Sequence, residues 1–417
     1  MRRGETLPGD GELWRNTRRT ALALAFVLVG PSLGQVQKYA GLWGLLLYIL
    51  LVFGFWISAP RFLRQLRAVG SERWAYGFAI VTGLGLLLLF HILYPLANSG
   101  IVGGGSDRDE ALNLGARELL QGRCPYHVTT YLGNPIAPLP GGVVLSLPFV
   151  ALGNSAYQNF FWLAIFFLLA RRILREAWRA LLLLWSLFAF SPVLWQQIIT
   201  GSDLPANSIV VLTFSWLVIR APGKWKLAAA LLLGVGLAWR TNFLLLLPLL
   251  FALLWQEVGG RAALGLMGLV AGAFGSLVLP FALHAPHGIS PFLEQNKFAR
   301  FDDLVPHASL LVPLAAGGYA LVSSRASADV SAFFRKSALV LAFPIVCGLI
   351  LATLQAGRLD LHLTDYGVSF LFFGGLSCWA SLLRALPERG GVLIASPLFA
   401  RRVTRERSVR HATRPSV

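Results

Sequence analysis

The sequence predicts an all-α protein: a polytopic transmembrane helical bundle of about 12 spans, with an outer-face juxtamembrane helix in its first large outer loop. Three observations predict it. Of the 417 residues, 56% are hydrophobic and only 13% are charged, and the mean hydropathy is +0.65, more apolar sequence than a soluble core of this size needs. The apolar residues come in blocks of about 20, the length that crosses hydrocarbon as a helix. The basic residues sit at the ends of those blocks, and one topology puts every major cluster on the same side of a bilayer. That placement also explains the net charge of +17 better than nucleic-acid binding would.

Residues 1–19 are polar and basic (Arg2, Arg3, Arg15, Arg18, Arg19) and are expected inside. An apolar run over about 20–35 leads outward, and one over 39–58 returns to the basic loop with Arg61, Arg64, Arg67 and Arg73. The span at 74–96 goes out again. Residues 142–170 hold sequence for one crossing and part of another. Keeping Arg171, Arg172, Arg175 and Arg179 inside requires an odd number of crossings here, so the Pro148–Gly153 region is read as interfacial or half-inserted. Spans at 180–199 and 204–220 follow, the second ending on Arg220, Lys224 and Lys226. Two short blocks, 227–239 and 241–256, are hinged at Arg240, Thr241 and Asn242. Spans at 261–283, 307–323, 337–356 and 366–384 complete the count. Residues 1–384 thus form one membrane domain, and 385–417 a basic, disordered cytoplasmic tail; both termini are cytoplasmic. No cleavable signal peptide is evident. Three scattered cysteines (Cys124, Cys347, Cys378) make neither a disulfide framework nor a metal site.

The polar stretch from Ser106 to Tyr126, SDRDEALNLGARELLQGRCPY, stands out between apolar blocks. Ala111, Leu112, Leu114, Leu119 and Leu120 recur near helical spacing, which predicts a helix on a surface. Its acids sit at the front, where a helix N-terminus favours them, and Gly122 and Pro125 end it. Asp107 and Asp109 are either caps of this helix or a catalytic base; Glu110 is read as a first-turn charge. Arg240, a charge between two apolar blocks, either grips an anion or snorkels to the interface. Lys297, Arg300 and Arg123 are further anion candidates, though loop cations are usually solvated. His284, His287 and His307 lack the spacing and acidic support of a metal site, so substrate contacts or interfacial positions are expected and no metal. Asp203 is read as the cap of the span that follows it. Tyr126 and His127 are candidate substrate contacts, with an aromatic anchor as the alternative for Tyr126. Nothing resembles a nucleotide loop, and no cofactor is expected.

The series Asp109, Ala116, Gly122, Pro125, Tyr126 resembles the first outer loop of the GT-C superfamily of membrane glycosyltransferases, nearest to the bacterial polyprenol-phosphate-mannose-dependent mannosyltransferases. The run GVGLAWRTNFLLLLPLL is similar too, with Arg240 where lysine is common in relatives; one helical turn after Asp109, where relatives often carry tyrosine, stands Asn113. The likeness covers most of the chain. It implies a hexosyltransferase of the bacterial inner membrane and cell envelope that takes a hexose, mannose foremost, from a polyprenyl-phosphate donor to a glycan or glycolipid on the outer face. Asp109 would then be the base, with Asp107 its rival, and Arg240, Arg300 or Lys297 would hold the lipid phosphate. A transporter or flippase for a lipid-linked or polar solute is the competing expectation, because broken short helices such as 227–256 are what transporters place at mid-membrane sites.

Overall fold

The computed structural model describes residues 10–66, 72–99, 101, 105–284, 290–325 and 329–385. The expected tail lies outside these from residue 386 onward. Among the described residues every regular element is helical, and the one β-type contact is an isolated bridge between Thr129 and Pro135.

Helices α1 (Asp10–Val29), α2 (Leu33–Leu66) and α3 (Glu72–Ala97) lead into the surface helix α4 (Arg108–Leu120). Then come α5 (Pro140–Ala151), α6 (Gln158–Leu174), α7 (Ala177–Phe190), α8 (Pro192–Ile199), α9 (Leu204–Arg220) and α10 (Lys224–Leu237). A 3-10 segment, Thr241–Leu246, opens α11 (Leu247–Val258). It is followed by α12 (Gly260–His284), the short α13 (Ser290–Gln295), α14 (Ala308–Ser324) and α15 (Val330–Ala356). A second 3-10 segment, His362–Gly367, opens α16 (Val368–Ala385).

Among the described residues six helices are long and apolar enough to cross a membrane, or seven if α7 and α8 form one bent span. The expectation of about twelve crossings is therefore reached only in part. Helices α5, α9 and α14 are apolar but shorter; α5, at 12 residues, is about 18 Å long and too short to span hydrocarbon alone. The stretch Asn16–Ala59 passes as one unit by length, yet it doubles back. Gly41 takes φ 66° and ψ −172°, a conformation open to glycine, and Phe26 before the bend meets Phe53 after it with ring centroids 4.7 Å apart.

The expected single span at 180–199 is broken: α7 and α8 meet at 88°. Ser191 and Pro192 stop α7, because proline cannot donate the next helical hydrogen bond. The freed carbonyls are satisfied by side chains, as a break among apolar helices requires. Trp195 Nε1 donates to Phe188 O at 2.7 Å and Tyr48 Oη to Phe190 O at 2.8 Å.

Chain reversals sort the polar residues to two ends. At one end the basic clusters meet a few acids: Arg171 to Glu72 at 3.8 Å and Arg220 to Glu257 at 4.0 Å. At the other end lie α4, the α8–α9 turn, the α10 break and the His362–Gly367 segment. There Gln35 Nε2 donates to Asp365 Oδ2 at 2.5 Å and Asn159 Nδ2 to Ser202 O at 2.9 Å. Between the ends lies one continuous apolar core, centred on α6, α7, α9 and α16, with Phe166, Phe372 and Phe373 buried.

Candidate active site

Asp107 stands at the N-terminal boundary of α4, but its side chain does not cap the helix. It turns to the following loop instead, where Oδ2 accepts from Thr130 Oγ1 at 2.6 Å and Asn134 Nδ2 at 2.8 Å. The loop is held in that shape by its own backbone: Thr130 N donates to Asn134 O at 2.9 Å and Gly133 N to Thr130 O at 2.8 Å. Oδ1 accepts no hydrogen bond from the described residues, which leaves one carboxylate oxygen with unused acceptor capacity.

Asp109, two residues on, faces the opposite way and is 2% exposed. Its Oδ2 accepts from Tyr94 Oη of α3, and Asn154 Nδ2 donates to the same tyrosine oxygen at 3.1 Å. Ser155 Oγ binds the Asp109 carbonyl at 2.9 Å. Asn113, one helical turn after Asp109, supports this group by accepting from Ser155 N at 2.7 Å. Gly201, at φ 75°, makes the α8–α9 turn directly over Asp109, where an added Cβ would lie 3.1 Å from the carboxyl carbon.

Burial pushes the Asp109 carboxyl up to about 6, against the hydrogen bond from Tyr94, which lowers it. This is above the ordinary carboxylate value near 4, so the folded chain holds the proton more tightly than the unfolded one. Stability from this group is greatest below about pH 4, falls as pH rises toward 6 and is level above that. The expected loss is about 3 kcal/mol across the window. Denaturation of the detergent-solubilised protein from pH 4 to pH 7 should show it, and Asp109→Asn should flatten the slope.

Arg240 lies in the break between α10 and the Thr241–Leu246 segment, with extended backbone (φ −141°, ψ 133°). Its side chain is 11% exposed and does not snorkel: Nη2 reaches Asp203 Oδ1 at 2.6 Å and Oδ2 at 2.8 Å. Trp239 Nε1 donates to the same Oδ2 at 2.8 Å. Asp203 occupies the expected cap position of α9, but its carboxylate makes no cap hydrogen bond; it is the buried counter-ion of Arg240. The Arg240 Nε–H is buried and has no acceptor among the described residues. Gln295 pins this break from α13: Nε2 donates to Ala137 O at 2.7 Å and Trp239 O at 3.2 Å, while Oε1 accepts from Thr241 N at 2.9 Å. On the other side Gly141 packs so closely that an added Cβ would lie 2.2 Å from Val235 O.

A cavity of about 320 Å³ opens at this end of the bundle. Its polar wall carries Asp107, Arg108, Arg240, Lys297 and Tyr366; its apolar wall carries Phe298, Leu341, Pro344, Ile345 and Leu363. Of the residues the sequence singled out, Asp107, Arg240 and Lys297 meet here. Asp109, Arg300, Tyr126 and His127 do not line it. Arg300 Nη2 lies 2.8 Å from His362 Nε2, and that imidazole is held by Asp360 through Nδ1 at 2.5 Å. Tyr126 packs edge-on to Phe281 and donates to Pro138 O at 3.2 Å; His127 lies 3.3 Å from Glu118. The His284 side chain and His287 fall outside the described residues.

The sequence reading passed over Arg108, Gln295 and Tyr366. Arg108 was hidden among the acids beside it, and Tyr366 follows Asp365 at the head of the last apolar run, a polar pair whose partners come from distant segments. Among the described residues no three His, Cys, Asp or Glu side chains group closely enough to hold a metal ion. Set against family models, curated proteins and solved structures, the chain matches none of them.

Proposed function

We propose that this chain is an inverting membrane glycosyltransferase that moves a hexose, mannose foremost, from a polyprenyl-phosphate donor to a hydroxyl of a glycan or glycolipid. The proposal places it in a bacterial inner membrane with about twelve crossings, both termini inside and the cavity on the outer face. One observation carries it: a single cavity combines a carboxylate oxygen with spare acceptor capacity, three cations and a wall of apolar side chains. That combination suits a lipid phosphate bearing a sugar beside an alcohol to be deprotonated.

In this reading Asp107 is the base, in place of Asp109, which the family resemblance favoured. The acceptor oxygen forms a bond to the anomeric carbon as the bond from that carbon to the phosphate oxygen breaks. The electron pair leaves with the phosphate, and the acceptor's proton passes to Asp107 Oδ1. The products are an inverted glycoside and polyprenyl phosphate. Asp109 is a positioning residue that ties α4 to α3 through Tyr94.

Purified protein in liposomes, given radiolabelled polyprenyl-phosphate mannose and a glycolipid acceptor, should yield labelled glycoside. The breaks at α7–α8 and at Arg240 favour a transporter as the second reading; that reading wins if label crosses the bilayer without a covalent product. Phosphatase reporters fused at residues 110 and 300 should be active outside the cell, and a cytoplasmic signal at either position would remove the outer-face assignment.

A further inference from the structure

The loop over 129–135, closed by the bridge between Thr129 and Pro135, is tied to the start of α4 by three hydrogen bonds among the described residues. Two are those on Asp107 Oδ2, from Thr130 Oγ1 at 2.6 Å and Asn134 Nδ2 at 2.8 Å. The third ends on Glu110, whose Oε2 accepts from Tyr131 N at 2.8 Å. Glu110 follows Asp107 by three residues, the spacing that puts two side chains on one face of a helix. Asp109, between them, turns to Tyr94 of α3. Glu110 is therefore more than a first-turn charge: it holds the loop amide next to Thr130.

The three bonds are not equivalent. Hydrogen bonds to an ionised carboxylate are roughly twice as strong as neutral ones, so those on Oδ2 weaken as Asp107 takes the acceptor's proton. The loop's own bonds, Thr130 N to Asn134 O at 2.9 Å and Gly133 N to Thr130 O at 2.8 Å, then preserve its shape but not its place against α4. The bond to Glu110 does not depend on the proton at Asp107. It keeps Thr130 and Asn134 in register with Oδ2 through the reaction, and it keeps Asn134 and Pro135 on the cavity wall beside Asp107. A carboxylate held by one oxygen presents the other in a fixed direction, and a misplacement of about 1 Å costs about 10²-fold in rate.

We infer that Glu110 is a positioning residue for sugar transfer: by holding the Tyr131 amide it keeps Thr130 and Asn134 on Asp107 Oδ2 and leaves Oδ1 to the acceptor hydroxyl. The inference rests on the glycosyltransferase reading, with Asp107 as the base. Glu110 is not among the residues that line the cavity, so it acts through the loop alone.

Initial rates in liposomes, with radiolabelled polyprenyl-phosphate mannose and a glycolipid acceptor, test it. Glu110→Ala should lower kcat by about 30-fold with donor KM within about twofold. Glu110→Gln, which keeps an oxygen for the Tyr131 amide, should return kcat to within about threefold of wild type. Thermal denaturation should hardly move, because the released amide is exposed and turns to water. The decisive readout is coupling. In an Asp107→Asn background, Glu110→Ala should cost less than about twofold, because no base is left to aim. Thr130→Val, which removes one donor to Oδ2 and keeps the side chain's shape, should show the same coupling and serves if Glu110→Ala fails to fold. Unchanged kcat in either variant, or a loss of equal size with and without the Asp107 carboxylate, overturns the inference while the glycosyltransferase reading stands. Wild-type protein that forms no labelled glycoside overturns both.

Discussion

Asp107→Asn is expected to lower sugar transfer by about 10³-fold, almost entirely in kcat. A positioned general base contributes about 10²- to 10⁴-fold, and here the substitution isolates that contribution. Thr130 and Asn134 both donate to Oδ2. An asparagine can turn its amide oxygen to the same two donors, so the loop keeps its shape. Only the atom on the other branch changes, from an oxygen that accepts a proton to an amide that cannot. The donor KM should stay within about threefold, because the cations that would hold the phosphate are untouched. Asp109→Asn provides the contrast. That side chain is buried against Tyr94 and does not reach the cavity, so its replacement should retain transfer within about tenfold while altering the pH dependence of stability. Initial rates with radiolabelled donor, alongside thermal denaturation of each variant, separate the two. Loss of transfer in Asp109→Asn with full activity in Asp107→Asn would reverse the assignment of base and positioning residue.

Much of this arrangement was legible from the residues alone, for reasons that differ from element to element. The helix α4 follows from apolar spacing with acids in front and Gly122 behind, all local properties. The break at Arg240 follows from a charge between two apolar runs that are each too short to cross with ease. The α7–α8 bend did not show in the hydropathy pattern, because both arms are apolar and a single Ser-Pro pair does the breaking. Which of two carboxylates faces the cavity could not be read either. Asp107 and Asp109 are two residues apart, so one helix start places them about 200° apart around the axis, and the choice depends on Tyr94 and Asn134 arriving from other parts of the chain. The same holds for Asp203. Its cap position was legible, but its carboxylate belongs to an arginine 37 residues later.

That pair carries the second large effect. Asp203→Ala is expected to destabilise the protein by about 3–5 kcal/mol, the usual consequence of removing one partner of a buried ion pair. The carboxylate is 0% exposed and the Arg240 side chain 11%. Its removal leaves a buried guanidinium without its counter-ion and the Trp239 indole N–H without an acceptor. The penalty comes from the stranded charge more than from the lost attraction, and this has a consequence a simple contact count would miss. Removing Arg240 as well should restore part of the stability, so Asp203→Ala/Arg240→Ala should unfold at or above the temperature of Asp203→Ala alone. Additive losses in the double variant would mean that the two side chains are stabilised independently. The cycle also separates stability from binding. The double variant should fold yet lose donor affinity, because the cavity then keeps Arg108 and Lys297 but lacks the cation in the helix break.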